Sequence, residues 1–277
     1  MLKNKKIVWI ILGVLIGADV LVLIIVWELS EARDLEVVFF DVGQGDSIFI
    51  ESPDGFQILI DGGPDLSVLE KLGQEMPFYD RTIDLIILTH PDHDHIFGLL
   101  EVLKRYQVKN ILWTGVVKDT DEYKEWNKLI QEERANILIA EAGQKINLAQ
   151  DVYFLILYPS ESLEGLEAED SNDTSIVARL IFNDNTFLFA GDISQKIELK
   201  LIDQNQELDS DILKVAHHGS KASTSPEFLQ AVSPETAVIS VGENKWGHPA
   251  EEVLQRLEQF GIKILTTQDS GDVRFSF

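Results

Sequence analysis

Hydrophobic and polar positions divide the chain into two unequal parts. Residues 7–27 form one apolar run, broken only by Asp19 and two glycines and preceded by Lys3, Lys5 and Lys6. At about 1.5 Å per helical residue, this run matches the ~30 Å core of a bilayer. Beyond it, apolar residues come in short bursts. Residues 35–42, 46–51 and 56–60 are rich in Val, Ile and Phe and are separated by Gly43-Gln44-Gly45 and Pro53-Asp54-Gly55, so they predict consecutive hairpin strands. Residues 83–88 then read as a buried strand, 97–105 as a helix, 108–113 as a strand and 121–133 as a polar helix. Strands are expected at 152–157, 176–182 and 186–189. After Asp192 helices (195–202, 226–232, 249–260) alternate with strands (212–215, 237–241, 262–266). The acidic stretch 161–170 reads as a solvated loop. Two groups of strands, each with covering helices, predict an α/β fold layered helix, sheet, sheet, helix. The domain reading is an appendage, residues 1–32, holding the lysines, the apolar run and a short linker, followed by one globular domain, residues 33–277.

The appendage has two readings. As a single-pass anchor, its lysines stay in the cytoplasm, the globular domain faces outward, and Trp9 and Trp27 sit at the interfaces. As a signal peptide, it is cleaved near Ser30-Glu31-Ala32 and releases a secreted domain, although the apolar stretch is long for that role. Asp19 costs the anchor about 2.5–3.5 kcal/mol on insertion scales, met by a partner helix or by protonation.

Composition then narrows the chemistry. The chain has no cysteine, which excludes disulfides, thiolate metal sites and cysteine nucleophiles. Its formal charge is −24, and positions 28–277, with 20 basic and 46 acidic residues, carry −26. A field of that sign repels phosphate backbones, so nucleic acid would need a bound metal or a local basic rim such as Lys214, Lys221 and Lys245.

All six histidines fall in three short segments. Thr89-His90-Pro91-Asp92-His93-Asp94-His95 sits where the 83–88 strand should end and a helix begin, and His90, Asp92, Asp94 and His95 offer imidazole and carboxylate ligands to a divalent cation. Asp192 follows the 186–189 strand, at the kind of sheet edge where α/β sites open. His217 and His218 end the 212–215 strand. Extended backbone would turn them to opposite faces, which favours His218 as ligand and His217 as a cleft-lining residue. His248 precedes the helix expected from Pro249, where an imidazole helps hold an anion or protonate a leaving group.

Taken together, Phe40-Asp41-Val42-Gly43-Gln44-Gly45-Asp46-Ser47, Ile60-Asp61-Gly62-Gly63, the 90–95 cluster, Asn172-Asp173-Thr174-Ser175, Gly191-Asp192, His217-His218-Gly219-Ser220 and Gly247-His248-Pro249 resemble the metallo-β-lactamase superfamily. The resemblance is specifically to the C-terminal hydrolase domain of ComEC-type competence proteins. It implies a four-layer αββα sandwich with two divalent ions, zinc by preference. His90 and Asp92 would hold the first ion, Asp94, His95 and His218 the second, and Asp192 both. Asp92 stands where most of the superfamily has histidine, and Asn172 to Ser175 stand where another histidine is usual. The first site is therefore oxygen-rich, which suits manganese or magnesium as well.

The expected function is an extracytoplasmic, membrane-tethered hydrolase using a metal-activated water, with a phosphodiester, DNA included, as substrate. Asp94, His217 and His248 are its expected catalytic residues, and Asn172, Ser175, Ser220 and Lys221 its substrate contacts. Other readings are an esterase of small phosphodiesters such as phosphocholine groups, and a non-catalytic module binding envelope polymer. β-Lactam hydrolysis is more distant. The many membrane helices of a full ComEC protein are missing from this sequence, so DNA transport by it alone is not expected, and a separate channel or an envelope component is the candidate partner.

Overall fold

The computed structural model describes residues 2–30, 34–168 and 170–277; within the first segment, side chains are described for residues 5, 6 and 9–23. The chain separates into two compact units, Met1–Arg33 and Asp34–Phe277. The first holds helix α1 (Leu2–Ser30), whose described apolar side chains, Trp9, Ile10, Val14 and Leu23 among them, are exposed. Among the described residues, no helix is long and apolar enough to cross a membrane. The apolar span expected at 7–27 extends past the described side chains at both ends, and Glu31-Ala32 of the cleavage motif lies outside the described residues.

The second unit begins with β1 (Glu36–Phe39), β2 (Ile48–Glu51), β3 (Gln57–Ile60), α2 (Ser67–Glu75), β4 (Thr82–Leu88), α3 (His93–Leu103), β5 (Gln107–Trp113), α4 (Asp121–Glu133) and β6 (Asn136–Ile139). It continues with β7 (Lys145–Ala149), β8 (Val152–Tyr158), β9 (Val177–Phe182), β10 (Asn185–Phe189), α5 (Gln195–Asp203), β11 (Ile212–Lys214), α6 (Pro226–Val232), β12 (Thr236–Ile239), α7 (Glu251–Gln259), β13 (Lys263–Thr266), α8 (Thr267–Ser270) and β14 (Val273–Ser276). Two sheets result, ordered β14-β1-β2-β3-β4-β5-β6 and β13-β12-β11-β10-β9-β8-β7. Each runs antiparallel in its hairpin portion (β1–β3, β7–β10) and parallel where helices intervene (β3–β6, β10–β13).

Alternation along the strands sorts the side chains into layers. In β1, Val37 and Phe39 face the opposite sheet, joining Ile50, Ile58, Phe154, Leu180 and Phe187, whereas Val38 turns outward. The outer face of the first sheet packs on α2, α3 and α4 through Val68, Leu99, Val102 and Trp126; that of the second packs on α5, α6 and α7 through Leu201, Phe228 and Leu257. The predicted αββα layering is therefore present. Strands β1–β4 and β10–β12 are largely buried on both faces, which is why they read as apolar runs.

Several elements differ from expectation. α2 buries only Val68 and Leu72, too narrow a stripe to announce a helix. Strands β6, β7 and β14 were not expected. β14 depends on pairing with β1, sealed by Leu35 and Phe277 exchanging backbone hydrogen bonds of 3.0 and 3.1 Å. α3 begins at His93 rather than near 97, because it opens on His93, Asp94 and His95, polar residues that apolar periodicity does not register. α7 begins at Glu251, so His248 lies in the preceding loop instead of at the helix start.

Candidate metal centre

The first half of the site hangs from the C-terminal ends of β3 and β4. Parallel pairing sets Ile60 beside Ile87, so Asp61 arrives next to Thr89 and His90. Buried Asp61 accepts hydrogen bonds from Thr89 N (2.8 Å), Thr89 Oγ1 (2.6 Å) and His95 Nδ1 (2.8 Å). This leaves His95 Nε2 pointing into the cluster. Thr89 spends its hydroxyl proton on Asp61, so His90 Nδ1, 3.1 Å from that oxygen, donates to it and presents a bare Nε2 as well. α3 reaches this position because two glycines let it touch the β3 turn: a Cβ on Gly98 would lie 1.9 Å from Gly62 O, and one on Gly62 would lie 2.3 Å from Leu99 N. Gly62 N donates to His95 O and Gly98 N to Gly63 O, locking the approach.

The second half hangs from β10, β11 and β12. Asp192 N donates to Ser175 Oγ (3.0 Å). His217 and His218 both adopt left-handed backbone, with φ of 51° and 52°, in a short 3-10 turn. The alternation expected of extended backbone therefore does not operate here. His218 is selected instead by a hydrogen bond from its Nδ1 to Ser240 O (2.8 Å), which turns Nε2 toward the first half. Left-handed conformations of non-glycine residues are costly and persist where surrounding structure enforces them.

The halves meet at short range. His218 Nε2 lies 3.3 Å from both Asp94 Oδ2 and Asp192 Oδ2, and His95 Nε2 lies 3.5 Å from Asp192 Oδ2. Tetrahedral bonds of 2.0–2.2 Å separate neighbouring ligand atoms by about 3.3–3.6 Å, which these three separations match, and Asp94, His95 and His218 form a group of donors within ligand range of one another. The buried Nε2 atoms of His90, His95 and His218 lack hydrogen-bond partners, as ligand nitrogens facing an ion would. His90, His95 and Asp192 form a second, overlapping group of donors within ligand range of one another.

Electrostatics point the same way. Burial opposes charge on His218, yet Asp192 and Asp46 outweigh it and push its pKa up to about 10. Burial likewise disfavours the charged His95, but Asp192 and Asp61 hold its pKa well above the usual imidazole range. Burial would raise Asp192, and His218, His95 and Lys214 keep it well below the ordinary carboxylate value. So many buried carboxylates demand positive charge, which imidazole protons or a cation can supply.

The remaining candidates separate by position. Asp92 leaves the ligand cluster: its Oδ1 contacts the Lys118 ammonium and the Ser171 hydroxyl, and His90 Nε2 is 4.0 Å away. Asn172, His217 and His248 line a cavity of about 180 Å³ above the donors, together with Gln44 and Trp246. Ser175 is buried beneath Asp192, Ser220 is buried and accepts from Ala222 N (3.3 Å), and Lys221 is exposed; none of the three lines that cavity. Lys214 is no rim residue. Fully buried, its ammonium contacts Asp46 Oδ2 and lies 3.5 Å from Asp192 Oδ1. His93 is surface-exposed and pairs with Glu122. The reading of the sequence missed Asp61, Asp46 and Lys214 as site-building residues; an Asp directly after an apolar strand and before two glycines was the available signal for the first.

The geometry defines a metallohydrolase-type fold with its donors gathered at the sheet edges. The profile of the Metallo-beta-lactamase superfamily matches residues 40–243, and the chain belongs to that superfamily. ComE operon protein 3 of Bacillus subtilis is 31% identical over 263 residues, covering 87% of this chain and 33% of the relative. Competence protein ComA of Neisseria gonorrhoeae is 31% identical over 251 residues, covering 90% and 33%. The chain thus spans about one third of the length of these curated relatives, and the resemblance to competence proteins holds. Among solved structures, Igni18, a metallo hydrolase of Ignicoccus hospitalis, superposes with a TM-score of 0.58 at 19% identity, covering 88% of this chain and 99% of that one, which shows the shared fold. YhfI of Bacillus subtilis does the same at 14% identity and 0.58, covering 88% and 100%.

Proposed function

We propose that the chain is a membrane-tethered, extracytoplasmic metal-dependent phosphodiesterase. The observation that carries this reading is the donor group Asp94, His95 and His218, with Asp192 against both imidazoles, beside a cavity lined by Asn172, His217 and His248. When bound, such an ion supplies Lewis acidity toward a phosphoryl oxygen and activates water. Asp94, part-exposed beside the cavity, orients the attacking water. His217 and His248, their rings 5.5 Å apart, donate hydrogen bonds to charge developing on the phosphoryl group. Burial, with His217 and His218 nearby, lowers the His248 pKa, which favours its uncharged form. Asn172 contributes a neutral amide to the cavity lining. Zinc suits the two imidazoles, and manganese suits the carboxylates.

Substrate size has a second reading. A larger groove of about 710 Å³ leads away from Asp92 and Asp94, and its walls carry Asp65, Glu122 and Glu243 against Lys118. Acidic walls disfavour long nucleic acid and favour small or zwitterionic phosphodiesters. Turnover by the purified full chain of bis(p-nitrophenyl) phosphate, single-stranded DNA and nitrocefin, with manganese or zinc added, tests both. Cleavage of the diester and of DNA supports a nuclease; cleavage of the diester alone selects the small substrate; metal-loaded protein that turns over neither overturns the phosphodiesterase.

Tethering rests on the apolar run 7–27 and on the exposed apolar side chains of α1. Recovery of intact protein in carbonate-washed membranes is the expected result. Recovery of a shortened chain in the exported soluble fraction would replace the anchor with a cleaved leader. A separate channel or envelope protein is the partner such a tethered domain would serve.

A further inference from the structure

The His90–Asp92 side of the site has the elements of a second ion site, but a lysine is seated in it. Lys118 comes from the loop between β5 and α4, and its ammonium contacts Asp92 Oδ1 and lies 2.8 Å from Ser171 Oγ. Ser171, itself buried, donates to the same Asp92 oxygen, so that oxygen already accepts two hydrogen bonds. The lysine is not on a loose loop. Gly165 N donates to Gly115 O (2.9 Å) and Val117 N to Leu166 O (2.8 Å), while Val117 bridges to Glu167. Gly115 has a φ of +75°, and a Cβ there would lie 2.9 Å from Glu164 Cα, so the two segments are pressed together immediately before Lys118. On the opposite side, where the superfamily pattern calls for a further histidine, stand Asn172, Asp173, Thr174 and Ser175, none with an imidazole.

We infer that Lys118 closes the His90–Asp92 side to metal: its ammonium supplies the positive charge a second ion would bring, leaving a one-ion centre at Asp94, His95, Asp192 and His218. The physical reason is twofold. An ammonium on the Asp92 oxygen removes that oxygen as a ligand, and a fixed positive charge repels a divalent ion brought alongside it. With Asp92 Oδ1 held by the ammonium and no imidazole in the 172–175 segment, the donors grouped with His90 are His95 and Asp192, both of which the first ion already uses. The inference rests on the metal-binding reading above and narrows it from two ions to one.

Metal content of the full-length protein tests it. The chain is saturated with manganese, desalted and measured by plasma mass spectrometry, and a manganese titration is followed in parallel by electron paramagnetic resonance. Expected are one ion per chain with a mononuclear signal in the wild type, in Asp92→Asn and in Lys118→Arg. Lys118→Met, which keeps the side-chain length but removes the charge, should take up a second equivalent about tenfold more tightly than wild type and give a spin-coupled signal. Two ions in the wild type overturn the inference whether or not the variants fold. So does a folded Lys118→Met that stays at one ion, or an Asp92→Asn that loses one. No ion in any form sinks the metal-binding reading itself, and this inference with it.

Discussion

His218 and Asp92 lie on two sides of one cluster, His218 within the turn that follows β11 and Asp92 at the N-terminal cap of α3, which follows β4. Around His218 every neighbouring group orients the side chain inward: Ser240 O takes Nδ1, and Asp94 and Asp192 crowd Nε2 at 3.3 Å. Around Asp92 one carboxylate oxygen is instead held by Lys118 and Ser171. An imidazole is aimed into the cluster when its other nitrogen is hydrogen-bonded away from it. Where a lysine is in reach, the same carboxylate becomes half of an ion pair.

The sharpest way to break this contrast is Asp192→Ala. Asp192 faces both His95 and His218, so its loss should abolish metal retention and lower phosphodiester turnover by about 10³-fold or more, read by steady-state kinetics alongside metal analysis. Gly98→Ala comes next. With a Cβ 1.9 Å from Gly62 O, α3 cannot keep its place, and chemical denaturation should show a loss of about 3 kcal/mol or more. An unchanged midpoint would mean that the close approach is not required. Asp61→Asn keeps the shape but weakens the hold on His95 Nδ1; metal affinity should fall about 10- to 100-fold, measured by competition with a chelating dye. His90→Ala should cost clearly less affinity than His218→Ala, and the reverse order would move the ion to the His90 side. Lys221→Ala, at an exposed residue off the cavity, should change turnover by less than about twofold.

Much of the layering was legible in the residues, because strands β1–β4 and β10–β12 are largely buried on both faces and stand out as apolar runs. The 90–95 segment, Asp192 and the histidine pair were legible as ligand types because histidine and aspartate rarely cluster directly after apolar strands. The role of each residue was less visible. Lys214 reads as a surface cation in a one-dimensional sequence and is instead buried between Asp46 and Asp192. Asp61 reads as a turn residue and is the carboxylate that orients His95. β14 has no reason to be a strand until β1 is beside it.

Periodicity, the absence of cysteine and three histidine-bearing segments are properties of the chain itself. They determined a layered α/β sandwich and a nitrogen-and-oxygen donor set, because burial and ligand chemistry depend on residue type. Which donors converge was decided only in three dimensions. Contacts such as Gly62 with Gly98, His218 with Ser240 and Lys118 with Asp92 join residues 22 to 36 positions apart. Hydrogen bonds and charge pairs act over a few ångströms, so the fold alone sets which nitrogen faces the cluster and which carboxylate is already taken.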